Sequence, residues 1–307
     1  MKRISKYSQR QTVQEFLNRE TTSAWFLMLP SFVIIFGLVG YPLIQAFVLS
    51  FHFHKVTMPN LGHPFVGFKN YLSVLSDPYF WSSFQRTALF MAISLVLIFI
   101  IGILVAHLLN KEFVGNKLLT TVVIIPWAIP ITVNAMMWKW IFNPSYGSLN
   151  ALLTQLGIIS EYQAWLSTPT SAMGVLILCD VWKNFPLVAI LTLAAMKTIP
   201  NSLYEAAVVD WANGWQIFWK ITLPVIMPSL MVTLILRSVD AFKVFDTVYI
   251  LTSGGPYDAT KTIAYFGYLE TFKYLDFGRG AAIAFIMTLF IGLLAFGYYR
   301  LLNHGNN

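Results

Sequence analysis

Residues 21 to 54 contain no Asp, Glu, Lys or Arg, and the stretch Ala24 to Phe51 within them is almost wholly apolar. In lipid such a run has only one economical form. No backbone N–H or C=O can be left unpaired there, and about 20 residues rising about 1.5 Å each as a helix cross a hydrocarbon core of about 30 Å. Thr87 to Asn110, Leu118 to Trp138 and Gly280 to Tyr299 are likewise free of charge. Two further stretches are apolar and long enough but hold charges: Ser171 to Met196 carries Asp180 and Lys183, and Ile221 to Lys243 carries Arg237, Asp240 and Lys243. Six spans are therefore predicted, in an all-α integral membrane fold. The composition agrees, being 57% hydrophobic and 11% charged, where soluble domains carry about a quarter charged residues. An ordinary soluble protein is excluded.

Charge sets the orientation. Lys2, Arg3, Lys6 and Arg10 precede the first span as they would in a secretory signal, but the apolar part far exceeds an h-region of roughly 7–15 residues. It also runs on through Pro42 without a cleavage pattern, so a retained anchor is expected. Six spans place both termini on one side. With the termini in the cytoplasm, the inside segments 1–23, 110–117, 197–220 and 300–307 hold 10 Lys and Arg in 63 residues. The outside segments 52–86, 139–170 and 244–279 hold 7 in 103. The inside excess fits the positive-inside rule, and the net charge of +7 reads as topology rather than as attraction to nucleic acid. Trp25, Trp127, Trp138, Trp140, Tyr298 and Tyr299 fall near span ends, the pattern of an interfacial aromatic belt.

Several chemistries are missing. Cys179 is the sole cysteine, which leaves no intrachain disulfide and no multi-thiolate site. His52, His54, His63, His107 and His304 form no helical metal-ligand pair, and neither a phosphate-cradling Gly-Lys-Ser/Thr loop nor a Gly-x-Ser-x-Gly elbow occurs. Paired carboxylates of the kind a glycosyl-transfer site needs on one helix are absent as well. No catalytic residue, metal or cofactor is expected, and energy for uphill movement would come from outside the chain or from an ion gradient.

The segment 199–224, between the fourth and fifth spans, combines a cytoplasmic position with Leu203, Tyr204, Val208, Val209, Trp211, Trp215, Ile217, Phe218 and Trp219. Apolar surface of that extent in water calls for a partner. Asn201 or Ser202 is placed to cap a short helix with Glu205 in its first turn, and Leu203, Ala207 and Trp211 share one face at i, i+4 spacing. Such a helix suits a groove on a soluble subunit. A surface-lying or re-entrant amphipathic connector is the other reading.

Glu205-Ala206-Ala207, followed by Ile221-x-Leu223-Pro224, resembles the EAA loop of the membrane subunits of binding-protein-dependent ABC importers. Phe65 to Tyr71, Asp77 to Trp81, Pro126 to Pro130, Trp138 to Pro144, Tyr146 to Asn150, Phe242 to Asp246 and Leu251 to Pro256 are similar to the MalF-like branch that imports carbohydrates. The resemblance implies a six-helix type I ABC importer transmembrane domain over 24–302, after a cytoplasmic segment 1–23, in a bacterial or archaeal cytoplasmic membrane. It implies as partners a second homologous permease, an ATPase dimer and an extracytoplasmic sugar-binding protein. Glu205, Ala206, Ala207, Asp210, Trp211, Gly214, Ile221, Leu223 and Pro224 would form the ATPase-coupling loop. The family's glycine falls at Trp211. Because a side chain resists positive φ, the turn is expected at Asn213-Gly214 instead.

Asp180, Lys183, Asn184 and Leu187 lie on one face of the fourth span, and Arg237, Asp240, Ala241 and Val244 repeat the pattern on the fifth. Charges inside spans are costly and turn toward the bundle or a wet cavity, so these two faces are expected to look at each other or at a partner. The resemblance implies that they line a transient sugar site. The competing role is structural, with Asp180 paired to Lys183 and Arg237 to Asp240. Two other functions compete as well: an ion-coupled secondary transporter with Asp180 or Asp240 titrating, and an intramembrane enzyme acting on lipid-linked sugars.

Overall fold

A computed structural model describes residues 20–304; Lys2, Arg3, Lys6, Arg10 and Arg19 of the orientation argument, and nearly all of segment 1–23, lie outside the described residues. The described residues are helices and loops, with two isolated antiparallel bridges, His52 to Phe65 and Lys55 to Asp276. The first span is α1 (Glu20–Ile34), a wide π-helical turn (Ile35–Gly40) and α2 (Tyr41–Ser50). Residues 24–39 rest almost entirely outside the bundle, and only the α2 end packs, against the last span. A short α3 (Lys69–Leu75) leads into the second span, α4 (Pro78–Leu109). Asp77 caps α4 by accepting the Tyr79 N–H at 2.8 Å, and Pro78 occupies the first helical position, where no N–H is needed.

The third predicted span is not one helix. It is α5 (Asn116–Ala128) and α6 (Ile131–Ile141), bent by 94°. Pro130 offers no N–H and forces its predecessor out of helical geometry; Ile129 sits at φ −69°, ψ 131°. After α7 (Ser148–Gln155) comes the fourth span, α8 (Pro169–Met196), then α9 (Asn201–Val209) and α10 (Gly214–Ile217). A second π-helical turn (Phe218–Thr222) joins α10 without a break to the fifth span, α11 (Leu223–Phe242). Beyond it lie α12 (Asp246–Leu251), α13 (Ile263–Tyr268), a third wide turn (Leu269–Lys273) and the last span, α14 (Phe277–His304).

Spans α4 and α8 form the centre, with Phe90, Ile98, Leu176 and Val188 fully buried between them and their neighbours. They approach closely at Gly102, where an added Cβ would come within 2.7 Å of Val188 Cγ1. Small residues permit such contact in lipid, where packing rather than water expulsion holds helices together. At the end of the bundle opposite α9, a polar knot ties the loops. Arg279 pairs with Asp77 and, at 3.7 Å, with Glu270, and Thr87 Oγ1 accepts the buried Ile263 N–H at 2.8 Å. Burial pushes the Glu270 carboxyl above the usual carboxylate range, with Arg279 pulling the other way.

Candidate functional site

Two regions of the bundle carry the residues singled out in the sequence. The first is the foot formed by α9, α10 and the start of α11. Pro200, extended at φ −61°, ψ 135°, is the residue flanking α9, so Asn201 falls inside the first turn and neither it nor Ser202 caps the helix. The other end of α9 closes by paired backbone bonds, Trp211 N–H to Val208 O at 3.1 Å and Ala212 N–H to Ala207 O at 2.9 Å. This is a Schellman closure, and its geometry requires positive φ at the residue just past the cap. That residue is Trp211, at φ 55°.

The expected shift of the turn to Asn213-Gly214 does not occur. Asn213 (φ −78°, ψ 164°) is already committed as the cap of α10, in a reciprocal box with Gln216 in which each backbone N–H reaches the other's side chain at 2.9 Å. Position in the helix end, not residue preference, decides which backbone turns left-handed. The stripe Leu203, Ala207, Trp211 therefore never forms, because the helix ends before Trp211. Ala207 is 6% exposed and faces the bundle, while Trp211 is 94% exposed. Glu205, Ala206, Val208, Val209, Asp210, Gly214, Trp215 and Trp219 are exposed with it, Ile221 and Leu223 are half-buried, and Pro224 opens α11. Tyr204 Oη meets Thr222 Oγ1 at 3.2 Å, tying α9 to the base of α11. Above this tie is a cavity of about 490 Å³ bordered by Ile103, His107, Met196, Tyr204 and Phe218.

Left-handed geometry costs a non-glycine residue about 1–2 kcal/mol, and the almost fully exposed indole returns little by packing. Trp211→Gly is therefore expected to raise stability by up to about 1 kcal/mol, after glycine's added chain entropy of roughly 0.5–1 kcal/mol is subtracted. Trp211→Ala, which keeps the strain, should gain nothing. Thermal unfolding of the purified chain in detergent distinguishes the two, and a lower midpoint for the glycine variant would contradict the strain.

The second region is the middle of α8 and α11. Arg237, 5% exposed, reaches across to Asp180, Nη2 to Oδ1 at 3.8 Å, and along its own helix to Asp240, Nη1 to Oδ2 at 3.3 Å. Lys243 holds the other Asp240 oxygen at 3.1 Å, nearer solvent. Asn184 donates from Nδ2 to the Asp180 backbone carbonyl at 2.9 Å and to Asp180 Oδ1 at 2.7 Å. The two charged faces thus do meet, through Asp180 and Arg237. Asn184, Ala241 and Val244 are buried beside them and Leu187 is half-buried.

Lys183 is elsewhere. The pairing of Asp180 with Lys183 does not form; Lys183 Nζ donates instead to the carbonyls of Trp127, at 3.2 Å, and Ile129. Ser94 escaped the sequence reading, and Trp138 entered it as a residue of the aromatic belt. Ser94 Oγ and Trp138 Nε1 are buried, like Asp180 Oδ2 and Arg237 Nε, without a close hydrogen-bond partner among the described residues. A polar residue in the middle of the charge-free Thr87 to Asn110 stretch was the available signal for Ser94.

The model for "Binding-protein-dependent transport system inner membrane component" matches residues 98–306. The trehalose/maltose transport system permease protein MalF of Thermococcus litoralis is 38% identical over 281 residues, covering 91% of this chain and 92% of that one. The trehalose transport system permease protein SugA of Mycobacterium tuberculosis is 30% identical over 282 residues, 92% of this chain and 89% of that one. Among solved structures, a chain of a bacterial ABC transporter involved in import of the acidic polysaccharide alginate superposes with a TM-score of 0.82 at 22% identity. It covers 95% of this chain and 99% of its own.

Proposed function

The chain belongs to the family of binding-protein-dependent transport system inner membrane components, and from that membership we propose that it is the non-catalytic, multi-pass permease subunit of an ATP-driven importer for a sugar or oligosaccharide. The reading assigns a six-span domain to residues 24–302 and places both termini and segment 199–224 in the cytoplasm. There Glu205, Asp210 and the exposed apolar residues beside them enter a cleft on an ATPase subunit; Ala206, Ala207, Gly214, Ile221, Leu223 and Pro224 complete the loop, with Ala207 turned inward as its anchor. The outer segments 52–86, 139–170 and 244–279 receive an extracytoplasmic sugar-binding protein, and a second, homologous permease completes the pore. The faces holding Asp180, Asn184, Leu187, Arg237, Asp240, Ala241 and Val244 line the route of the sugar, with Lys183 at its edge.

The observation that carries this reading is the foot itself. Val208, Val209, Trp211, Trp215 and Trp219 stand exposed around the acidic Glu205 and Asp210 on two short helices and the turns that follow them, a surface that a stand-alone ion-coupled carrier has no use for. The test is ATP hydrolysis by the reconstituted complex, driven by its binding protein loaded with each of a panel of mono- and oligosaccharides. Stimulation by one class of sugar is the expected result. Uptake by this polypeptide alone, without ATP, would overturn it.

A further inference from the structure

Lys183 lies one helical turn from Asp180, close enough for either to reach the other, yet its ammonium bridges the break in the third span. The break supplies the acceptors. In an unbroken helix the Trp127 and Ile129 carbonyls would accept the N–H groups of residues 131 and 133, but Ile131 and Val133 belong to a helix turned 94° away. Lys183 Nζ stands in for those missing donors at Trp127 O and Ile129 O, and its charge suits the negative end of the α5 dipole. Asp180 shows the complementary deficit. Its Oδ1 is taken by Asn184 at 2.7 Å and Arg237 at 3.8 Å, while its buried Oδ2 makes no close hydrogen bond among the described residues, the Ser94 hydroxyl standing nearby.

One cation thus has two acceptor sites within reach, and one of them is in use. We propose that Lys183 is a positioning residue that latches the broken span: on the Trp127 and Ile129 carbonyls it fixes α5 against α8, and on Asp180 it lets the break move. The exchange is driven by Arg237. Thr222, at the base of α11, is tied to α9 through Tyr204, so displacement of the foot shifts α11 and draws Arg237 from Asp180. A buried carboxylate is not left without a cation, and Lys183 is the nearest one on its own helix. The exchange leaves two discrete arrangements, which is what transmission between distant sites requires. The inference rests on the transport reading for its purpose, but not for its geometry.

The sole native cysteine, Cys179, is buried, so a Cys179→Ser background carrying Ile129→Cys reports the break by its rate of maleimide labelling. In the full chain alone, in lipid nanodiscs, Lys183→Met is expected to raise that rate by about tenfold or more, the population change that follows loss of a charge-assisted hydrogen bond. Lys183→Arg should restore it. In the reconstituted complex, a non-hydrolysable ATP analogue should speed labelling of the otherwise unaltered chain and leave Asp180→Asn slow, because its ammonium then has nowhere to go. Lys183→Met should also hydrolyse ATP while moving at least about tenfold less sugar per ATP. Equal labelling of Lys183 and Lys183→Met chains overturns the latch, as does an Asp180→Asn chain that follows the unaltered one. A complex inactive toward every sugar overturns the transport reading alone, since the nanodisc measurement does not depend on it.

Discussion

Glu205→Lys is expected to abolish sugar uptake while the chain still folds, inserts and assembles with its partner permease, and while the binding protein still takes up its sugar. Glu205 is exposed and joins no ion pair among the described residues, so the substitution should cost folding no more than about 0.5 kcal/mol. On the proposed function, its effect falls on docking. Reversing a charge in a partner's cleft costs roughly 2–5 kcal/mol, which is about 30-fold to several thousand-fold in affinity. Ala207→Asp should also stop uptake, but for a mixed reason, since Ala207 is buried against the bundle and a charge there disturbs the fold as well. Co-purification with the ATPase subunit, alongside uptake in cells, separates the two. Normal uptake by the Glu205→Lys variant would remove the coupling role from this segment.

Arg237→Met should damage the chain itself. Arg237 is the only cation paired with Asp180 among the described residues, and removing one partner of a buried pair costs about 3–5 kcal/mol because the other charge is stranded; Lys183 moving onto Asp180 would offset part of this, but only by giving up the Trp127 and Ile129 carbonyls. The expected result is little monodisperse protein, a lower unfolding temperature and no uptake. Two controls make the cause visible. Asp180→Asn combined with Arg237→Met should recover most of the stability, because the stranded charge is gone. Asp240→Asn alone should be mild, since Asp240 is 49% exposed and its other partner, Lys243, is 57% exposed, where ion pairs contribute about 0–1 kcal/mol. An Arg237→Met chain as stable as its parent would mean that the pair does not hold the spans together.

The spans were legible because lipid imposes one rule on every backbone group, and charge-free length expresses it directly. Facing of α8 and α11 was legible for a related reason: Asp180 and Arg237 each sit in a group at helical spacing, and charges in lipid have few places to turn. The break at Ile129-Pro130 was not. Pro30, Pro126, Pro186 and Pro228 all sit inside helices that continue through them, so proline alone does not announce an interruption. What singles out Pro130 is the arrival of Lys183 from 54 positions later in the chain to take the freed carbonyls, a tertiary fact with no local trace. The Arg279 and Asp77 pair, 202 positions apart, was hidden in the same way. Trp211 failed for the opposite reason, because a local preference was read where the geometry of a helix end had already decided.

The wide turn at Phe218–Thr222 has a consequence for the angular phase of the fifth span. A π-helical turn holds one residue more than an α-helical one, and only in the α-helix does each residue advance the side-chain direction by about 100°. Because α10, this turn and α11 run on as one helix, and the turn takes up its surplus residue at fewer degrees per residue, its width sets the azimuth of every side chain above it, Arg237 included. Tightening this turn to α-helical geometry with no residue removed would leave the span as apolar and nearly as long, yet point Arg237 roughly 100° away from Asp180, whereas deleting one residue as it tightens would keep Arg237 facing Asp180. The same linkage lets the tryptophans at the foot act on the middle of the bundle by torsion, since a twist applied at Trp215 and Trp219 swings Arg237 about the axis of α11 without lifting or lowering the helix in the membrane.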